Sequence, residues 1–244
     1  MPNIWILLLL GLIVLVTHFL EGITGFGCTV LAMPFAILLV GVPTAKPVLT
    51  LYAFLLALYI VVQHWKKINW NAYRRLILLL LAGLPIGIAL YRWLPQQILI
   101  WILTAFLFFV SVRGILASFR QGRPDGIPEK PALLLVFLGG ILHGAFSSGG
   151  PLVIVYAAKH LQDKQVFRAT LCLVWVTLNA ILLGQMAVSS QFTMEAGYTA
   201  LACAPALVIG TLLGDWAHRH IRDTVFTKLT YITLLLTAGA MLFV

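Results

Sequence analysis

The sequence predicts an all-α polytopic membrane protein built as an inverted repeat, each half a glycine-broken re-entrant hairpin followed by three transmembrane helices. Composition is the first reason: 61% of the 244 residues are hydrophobic, 9% are charged and the mean hydropathy is +1.03. Such a chain holds several runs of the ~20 apolar residues that cross a bilayer. The second reason is a pair of glycine-rich breaks, residues 21–28 (EGITGFGC) and 143–150 (HGAFSSGG), at matching places in the two halves. The third is that corresponding loops of the two halves carry opposite charge character.

Apolar runs cover 3–42, 47–63, 75–94, 97–118, 131–158, 169–187, 197–217 and 224–244, about eight spans by hydropathy. The only long polar stretch, 119–130, divides a first repeat (1–118) from a second (131–244). At an offset of 122 residues Gly22 falls on Gly144, Gly27 on Gly149 and Lys46 on Arg168. With one residue inserted, Gly87 falls on Gly210 and Trp93 on Trp216. The N-terminal run has no basic leader and no small-residue cleavage site, so it reads as a retained membrane segment.

Loop charges set the orientation. Loop 64–75 carries Lys66, Lys67, Arg74 and Arg75, and its counterpart 187–197 carries no Lys or Arg. Loops 92–97 and 43–47 hold Arg92 and Lys46 alone, against Arg219, Arg222 and Lys228 in 217–228 and Lys159, Lys164 and Arg168 in 159–168. Placing 64–75, 113–130, 159–168 and 217–228 in the cytoplasm puts 14 of the 16 Lys and Arg inside, with both termini outside. Run 131–158 then enters and returns on one side. Straight, its 28 residues would make a helix ~42 Å long, too long for one crossing and too short for two. It fits a hairpin with its tip at the glycines, and 3–42 fits a deeper one from the other face. The rival is a single broken span per motif in parallel halves, which leaves the loop charges unexplained.

Backbone that leaves the helix at membrane depth must be buried in protein or line a cavity, and paired breaks point to a transporter's binding site. Each break would aim a half-helix N-terminus, with free N–H groups, at the membrane centre, a setting for a small anion. Ser147 and Ser148 would cap the second half-helix, with Pro151 in its first turn. The candidate substrate-binding residues are Gly22, Thr24, Gly25, Gly27, Gly144, Ser147, Ser148, Gly149, Gly150 and, mid-span, Asn179. The plainer alternative is that the glycines only let helices pack closely.

Glu21 and His143 stand at equivalent positions before the breaks, either as proton-coupling groups or as hydrogen-bond partners of the broken helix ends. His18 reads as a packing residue. Lys46 and Arg168, each opening the span after a hairpin, are gating or anion-attracting candidates, with snorkelling to the interface the plainer expectation. Cys28, Cys172 and Cys203 read as buried small hydrophobes; no Cys/His spacing suggests a metal and no cofactor motif is present. The formal charge of +9 sits in short loops, which favours lipid headgroups over nucleic acid.

The motifs Gly22-x-x-Gly25-x-Gly27 followed by Pro34, and Gly144-x-x-x-Ser148-Gly149-Gly150-Pro151, together with the duplication, resemble the TauE/SafE family of sulfite and sulfonate exporters over essentially the whole chain. Cys28 stands where another glycine is common, and the second motif has two glycines rather than three. The resemblance implies a cytoplasmic (inner or plasma) membrane transporter of sulfite, thiosulfate or an organosulfonate; the residues themselves reach only a small anion. No nucleotide-binding loop is present, so transport would be secondary, by alternating access. Coupling to protons or sodium and assembly as a homodimer stay open. The competing readings are a passive anion channel and an intramembrane serine hydrolase, with Ser147 or Ser148 as nucleophile and His143 or His18 as base. Against the hydrolase, the strand–turn–helix serine elbow motif is absent and the first half has Gly25 and Phe26 where the serines would be.

Overall fold

A computed structural model describes residues 2–93, 128–147 and 149–221, with ten scattered positions between 98 and 112 and between 225 and 239. Most of the runs 97–118 and 224–244, and the linker up to residue 127, lie outside the described residues. Within them all regular structure is helical: α1 (Ile4–Thr24), α2 (Cys28–Val40), α3 (Val42–His64), a 3₁₀ turn (Trp65–Lys67), α4 (Trp70–Trp93), α5 (Glu129–Phe146), α6 (Gly150–His160), α7 (Lys164–Val188) and α8 (Met194–His220).

Five segments, Ile4–Thr24, Val42–Lys67, Trp70–Tyr91, Lys164–Val188 and Met194–His220, are long and apolar enough to cross a bilayer. Large side chains such as Leu8, Leu12, Leu78, Leu201 and Leu212 lie on their outer faces, as lipid requires. The chain is a multi-pass membrane protein. α1, the first arm of the predicted deep hairpin, is itself long enough to cross: its 21 residues span about 32 Å.

Side-chain oxygens of Asn3, Asp163 and Thr193 cap α1, α7 and α8 in the interfacial positions where helix amides lack partners. Inside, α3 packs on α7, α1 on α8 and α4 on α5, while α2 folds back on α1 and α6 back on α5. The buried Leu49, Tyr52, Leu56 and Ile60 of α3 and Leu171, Val174, Leu178 and Leu182 of α7 form the centre.

At two crossings the backbones touch. A Cβ at Gly87 would lie 1.9 Å from the Ile141 carbonyl oxygen, and one at Gly144 would lie 2.3 Å from that of Leu84. Gly22 faces Gly214 in the same manner, its added Cβ 2.8 Å from the Gly214 Cα. The packing explanation therefore accounts for Gly22 and Gly144.

The helices also outrun the apolar runs. α3 begins at Val42 and α7 at Lys164, so Lys46 and Arg168 lie within helices and are 8% and 1% exposed. This overturns the expectation that they sit in loops and snorkel to the interface. Each has a polar partner in the protein interior that run-drawing by hydropathy cannot see.

Candidate functional site

The first break begins where α1 ends. Gly25 takes the left-handed conformation (φ 81°) and its N–H donates to the Glu21 carbonyl; Gly27 (φ 104°) then starts α2. Side chains rarely adopt either φ, which is why glycines occupy both places. α2 has no capping side chain at Gly27 itself. Instead the Glu21 carboxylate reaches across the break and accepts the Cys28 N–H at 2.6 Å.

The second break repeats this plan at the 122-residue offset. Ser147 is left-handed (φ 55°) at the end of α5, and its N–H donates to the His143 carbonyl at 2.7 Å. The Gly149 N–H then donates to His143 Nδ1 at 3.5 Å, and α6 starts at Gly150 with Pro151 in its first turn. Glu21 and His143 both bind the broken helix ends, the second of the two roles open to them. The expectation that Ser147 caps α6 is corrected. Ser147 closes α5, and its hydroxyl hydrogen-bonds Thr50 at 3.0 Å, because the backbone turns left-handed there and carries the side chain toward α3. Ser148 lies outside the described residues.

α7 ties the two breaks together. Trp175 Nε1 donates to the Gly25 carbonyl at 2.9 Å, and Asn179 Oδ1 lies 3.1 Å from His143 Nε2. With Nδ1 accepting from Gly149, His143 is assigned as the Nε2–H tautomer, donating to Asn179. The His143 ring stacks on Trp175, centroids 5.7 Å apart and planes at 16°. The tips are neighbours, with room between them for little more than a methyl group: a Cβ added to Gly150 would lie 3.7 Å from Phe26 Cβ.

Beside them is a small cavity of about 20 Å³, room for roughly one water molecule. It is lined by Glu21, Gly27 and Thr29 from the first break, His143, Ser147 and Gly150 from the second, and Trp175 and Asn179 from α7. Of the sequence candidates, Gly27, Ser147, Gly150, Asn179, Glu21 and His143 thus meet at one space. Thr24 bonds the Leu20 and Phe26 carbonyls, Gly25 offers its carbonyl to Trp175, and Gly149 packs on the Gly139 backbone. Gly22 and Gly144 serve the helix crossings.

Lys46 Nζ donates to the Ala145 carbonyl at 3.0 Å and lies 3.7 Å above the Tyr91 ring. Arg168 Nη1 donates to Asp215 Oδ1 at 2.8 Å, and its stem packs on Gly25, whose added Cβ would meet Arg168 Cγ at 3.0 Å. The two cations therefore each abut the break of the opposite half. His18 bonds the Val14 carbonyl at 2.8 Å and meets Tyr52 edge-on, a packing residue, and Cys28, Cys172 and Cys203 are buried and free.

Sequence reasoning missed Thr29, Thr50, Trp175 and Asp215. Three are ordinary residues of membrane helices and give no signal. Asp215 did give one, a carboxylate inside the apolar run 197–217.

Of the serine-hydrolase pairings, that of Ser147 with His143 is not formed, and Ser148 lies outside the described residues. Ser147 Oγ is bonded to Thr50 and both ring nitrogens of His143 face other groups. Comparison with curated proteins and with solved structures gives no match. The sulfite exporter TauE/SafE family matches residues 9–241, nearly the whole chain, and this membrane protein belongs to that transporter family.

Proposed function

We propose that the chain is a secondary transporter that moves a small oxyanion (sulfite, thiosulfate or an organosulfonate) across the cytoplasmic membrane by alternating access around the cavity between the breaks. The observation that carries this is that both breaks and the α7 residues between them line one space. The N-termini of α2 and α6 start there, and helix N-termini favour negative charge. The Thr29 and Ser147 hydroxyls and the Asn179 amide supply donors, and no Lys or Arg is among the described lining residues. Binding by dipoles and neutral donors is weak enough for release.

Glu21 sets a condition on this site. Ionised, it would repel an anion across a few ångströms of low-dielectric space; neutral, it would not. A proton on Glu21 and the anion therefore enter together.

The inverted-repeat reading, with two hairpins, six spans and both termini outside, is supported by the way contacts exchange between halves. α1 packs on α8 as α5 packs on α4, and α2 returns on α1 as α6 on α5. Lys46 abuts the second break as Arg168 abuts the first, and Thr50 meets Ser147 where Cys172 meets the Gly25 carbonyl. Repeats 1–118 and 131–244, joined by 119–130, would then rock about the cavity.

Radiolabelled sulfite, thiosulfate and methanesulfonate uptake into proteoliposomes tests the reading. Saturable uptake of at least one, faster when the outside is acidified, is expected. Fluxes no higher than in protein-free liposomes would reject it, and unitary currents far above carrier turnover would assign a channel instead.

A further inference from the structure

Arg168 is the largest fully buried side chain among the described residues, and it is only partly used. Its Nη1 donates to Asp215 Oδ1, while among the described residues Nε and Nη2 have no hydrogen-bond partner, and both are buried from solvent. Buried guanidinium N–H groups are rarely left unpaired, because each forgoes its hydration without replacement. The unfilled atoms are not an arbitrary pair. Nε and Nη2 form the side-on fork of the guanidinium, the edge that holds two oxygens of one oxyanion in parallel hydrogen bonds.

The surroundings favour an anion there. Among the described residues Asp215 is the carboxylate paired with Arg168, and both of its oxygens are taken, Oδ1 by Arg168 and Oδ2 by Arg219. Among the described residues two guanidiniums share this one carboxylate, Arg219 from a largely exposed position, which leaves a positive excess. The arginine is also joined to the cavity. Arg168, Cys172, Trp175 and Asn179 fall at helical spacing on one face of α7. Cys172 and Trp175 hold the Gly25 carbonyl, and Trp175 and Asn179 line the cavity. Along the helix axis Arg168 stands about 10 Å from Trp175.

We propose that the Nε–Nη2 edge of Arg168 is a second oxyanion subsite, next to the central cavity and on the cytoplasmic side in the orientation given above. Asp215 holds the guanidinium by its other edge and so presents the fork. Neither fork atom reaches solvent in this conformation, so the subsite fills when the Gly25 break moves off the arginine stem. A sulfite or sulfonate, with its oxygens about one carboxylate-width apart, suits the fork; a halide, with one atom, does not. This rests on the anion-transport reading and extends it to a staging point outside the cavity.

Equilibrium dialysis of purified full-length protein in nanodiscs against radiolabelled sulfite at low ionic strength tests it. Two sulfites per chain are expected for the wild type, and one for Arg168→Lys, which keeps the charge and the Asp215 pair but lacks the fork. The second-site affinity should fall at least about tenfold. Should that variant fail to fold, the double substitution Arg168→Gln with Asp215→Asn, which buries no unpaired charge, gives the same readout. Asn179→Leu should remove the other sulfite and leave the arginine-bound one. Equal stoichiometry in the wild type and both arginine variants would overturn the subsite while leaving the cavity reading intact. A wild type that binds no sulfite would overturn both.

Discussion

The Glu21 carboxylate accepts the Cys28 amide at 2.6 Å across the first break, and His143 takes the same place across the second by accepting the Gly149 amide. In each case one side chain satisfies an amide that the broken helix leaves without a carbonyl, and the same side chain faces the cavity. Structure and transport are therefore coupled at these two residues, and substitutions must be chosen to separate them.

At Glu21 the separation is available. Glu21→Gln keeps a carbonyl oxygen to accept the Cys28 amide but cannot gain or lose a proton. The fold should persist, with a detergent-extracted thermal midpoint close to wild type. Wild-type uptake should rise as external pH falls, because the anion enters with a protonated Glu21; in Glu21→Gln the profile should flatten. Glu21→Ala should instead lose about 1–3 kcal/mol of stability from the unsatisfied buried amide. A Gln variant with the wild-type pH profile would remove Glu21 from coupling.

Asn179 is the single side chain that contacts the second break from α7 by its amide. Asn179→Ala leaves the His143 Nε2–H without its acceptor in a site shielded from water, at a cost of roughly 1–3 kcal/mol. His143 would then be free to turn or change tautomer, loosening the Gly149 contact. Sulfite uptake per folded molecule should drop at least about tenfold if the amide also meets the anion. Uptake that falls only in proportion to the folded fraction would confine Asn179 to holding His143.

What the residues disclosed and what they hid divide along physical lines. The breaks were legible because glycines clustered in an apolar run have few other uses at membrane depth. Glu21, His143 and Asn179 stood out because polar groups there need partners. The Lys46 and Arg168 environments were hidden, since hydropathy treats every cation as a boundary. Arg168 is paired with Asp215, 47 residues away in sequence, and Lys46 with a backbone carbonyl 99 residues away. Trp175 was hidden for the opposite reason: an indole in a membrane helix is ordinary until its N–H is seen to hold the Gly25 carbonyl. Gly22 and Gly144 belonged to the breaks by sequence and to helix crossings by contact.

Those crossings give a prediction independent of function. Gly87→Ala would place a methyl group 1.9 Å from the Ile141 carbonyl oxygen, and Gly140→Ala one 2.3 Å from that of Leu80. Backbone cannot swing aside as a side chain can, so α4 and α5 must separate, and the loss should exceed the ~1–3 kcal/mol typical of overpacking. Gly184, with no described residue within 4 Å of an added Cβ, is the control, and Gly184→Ala should not lower the thermal midpoint. Equal midpoints for Gly87→Ala and Gly184→Ala would show that the crossing is not as close as described.

Lys46 offers the last test, because its bond has an identifiable purpose. The Ala145 carbonyl would ordinarily receive the amide four residues on, that of Gly149, but that amide is directed to His143. Lys46 supplies the missing donor from the other half, and at the first break His218 does the same for the Ile23 carbonyl at 2.7 Å. Lys46→Met preserves the length and apolar stem while removing the donor and the cation above Tyr91. It should lower stability by about 1–3 kcal/mol. Lys46→Arg keeps a charged donor within reach and should recover most of the loss. If Lys46 only secures the end of α5, sulfite uptake by the folded fraction should keep its KM in both variants. A raised KM in Lys46→Met that Lys46→Arg restores would mean that the anion senses this charge on its way to the cavity.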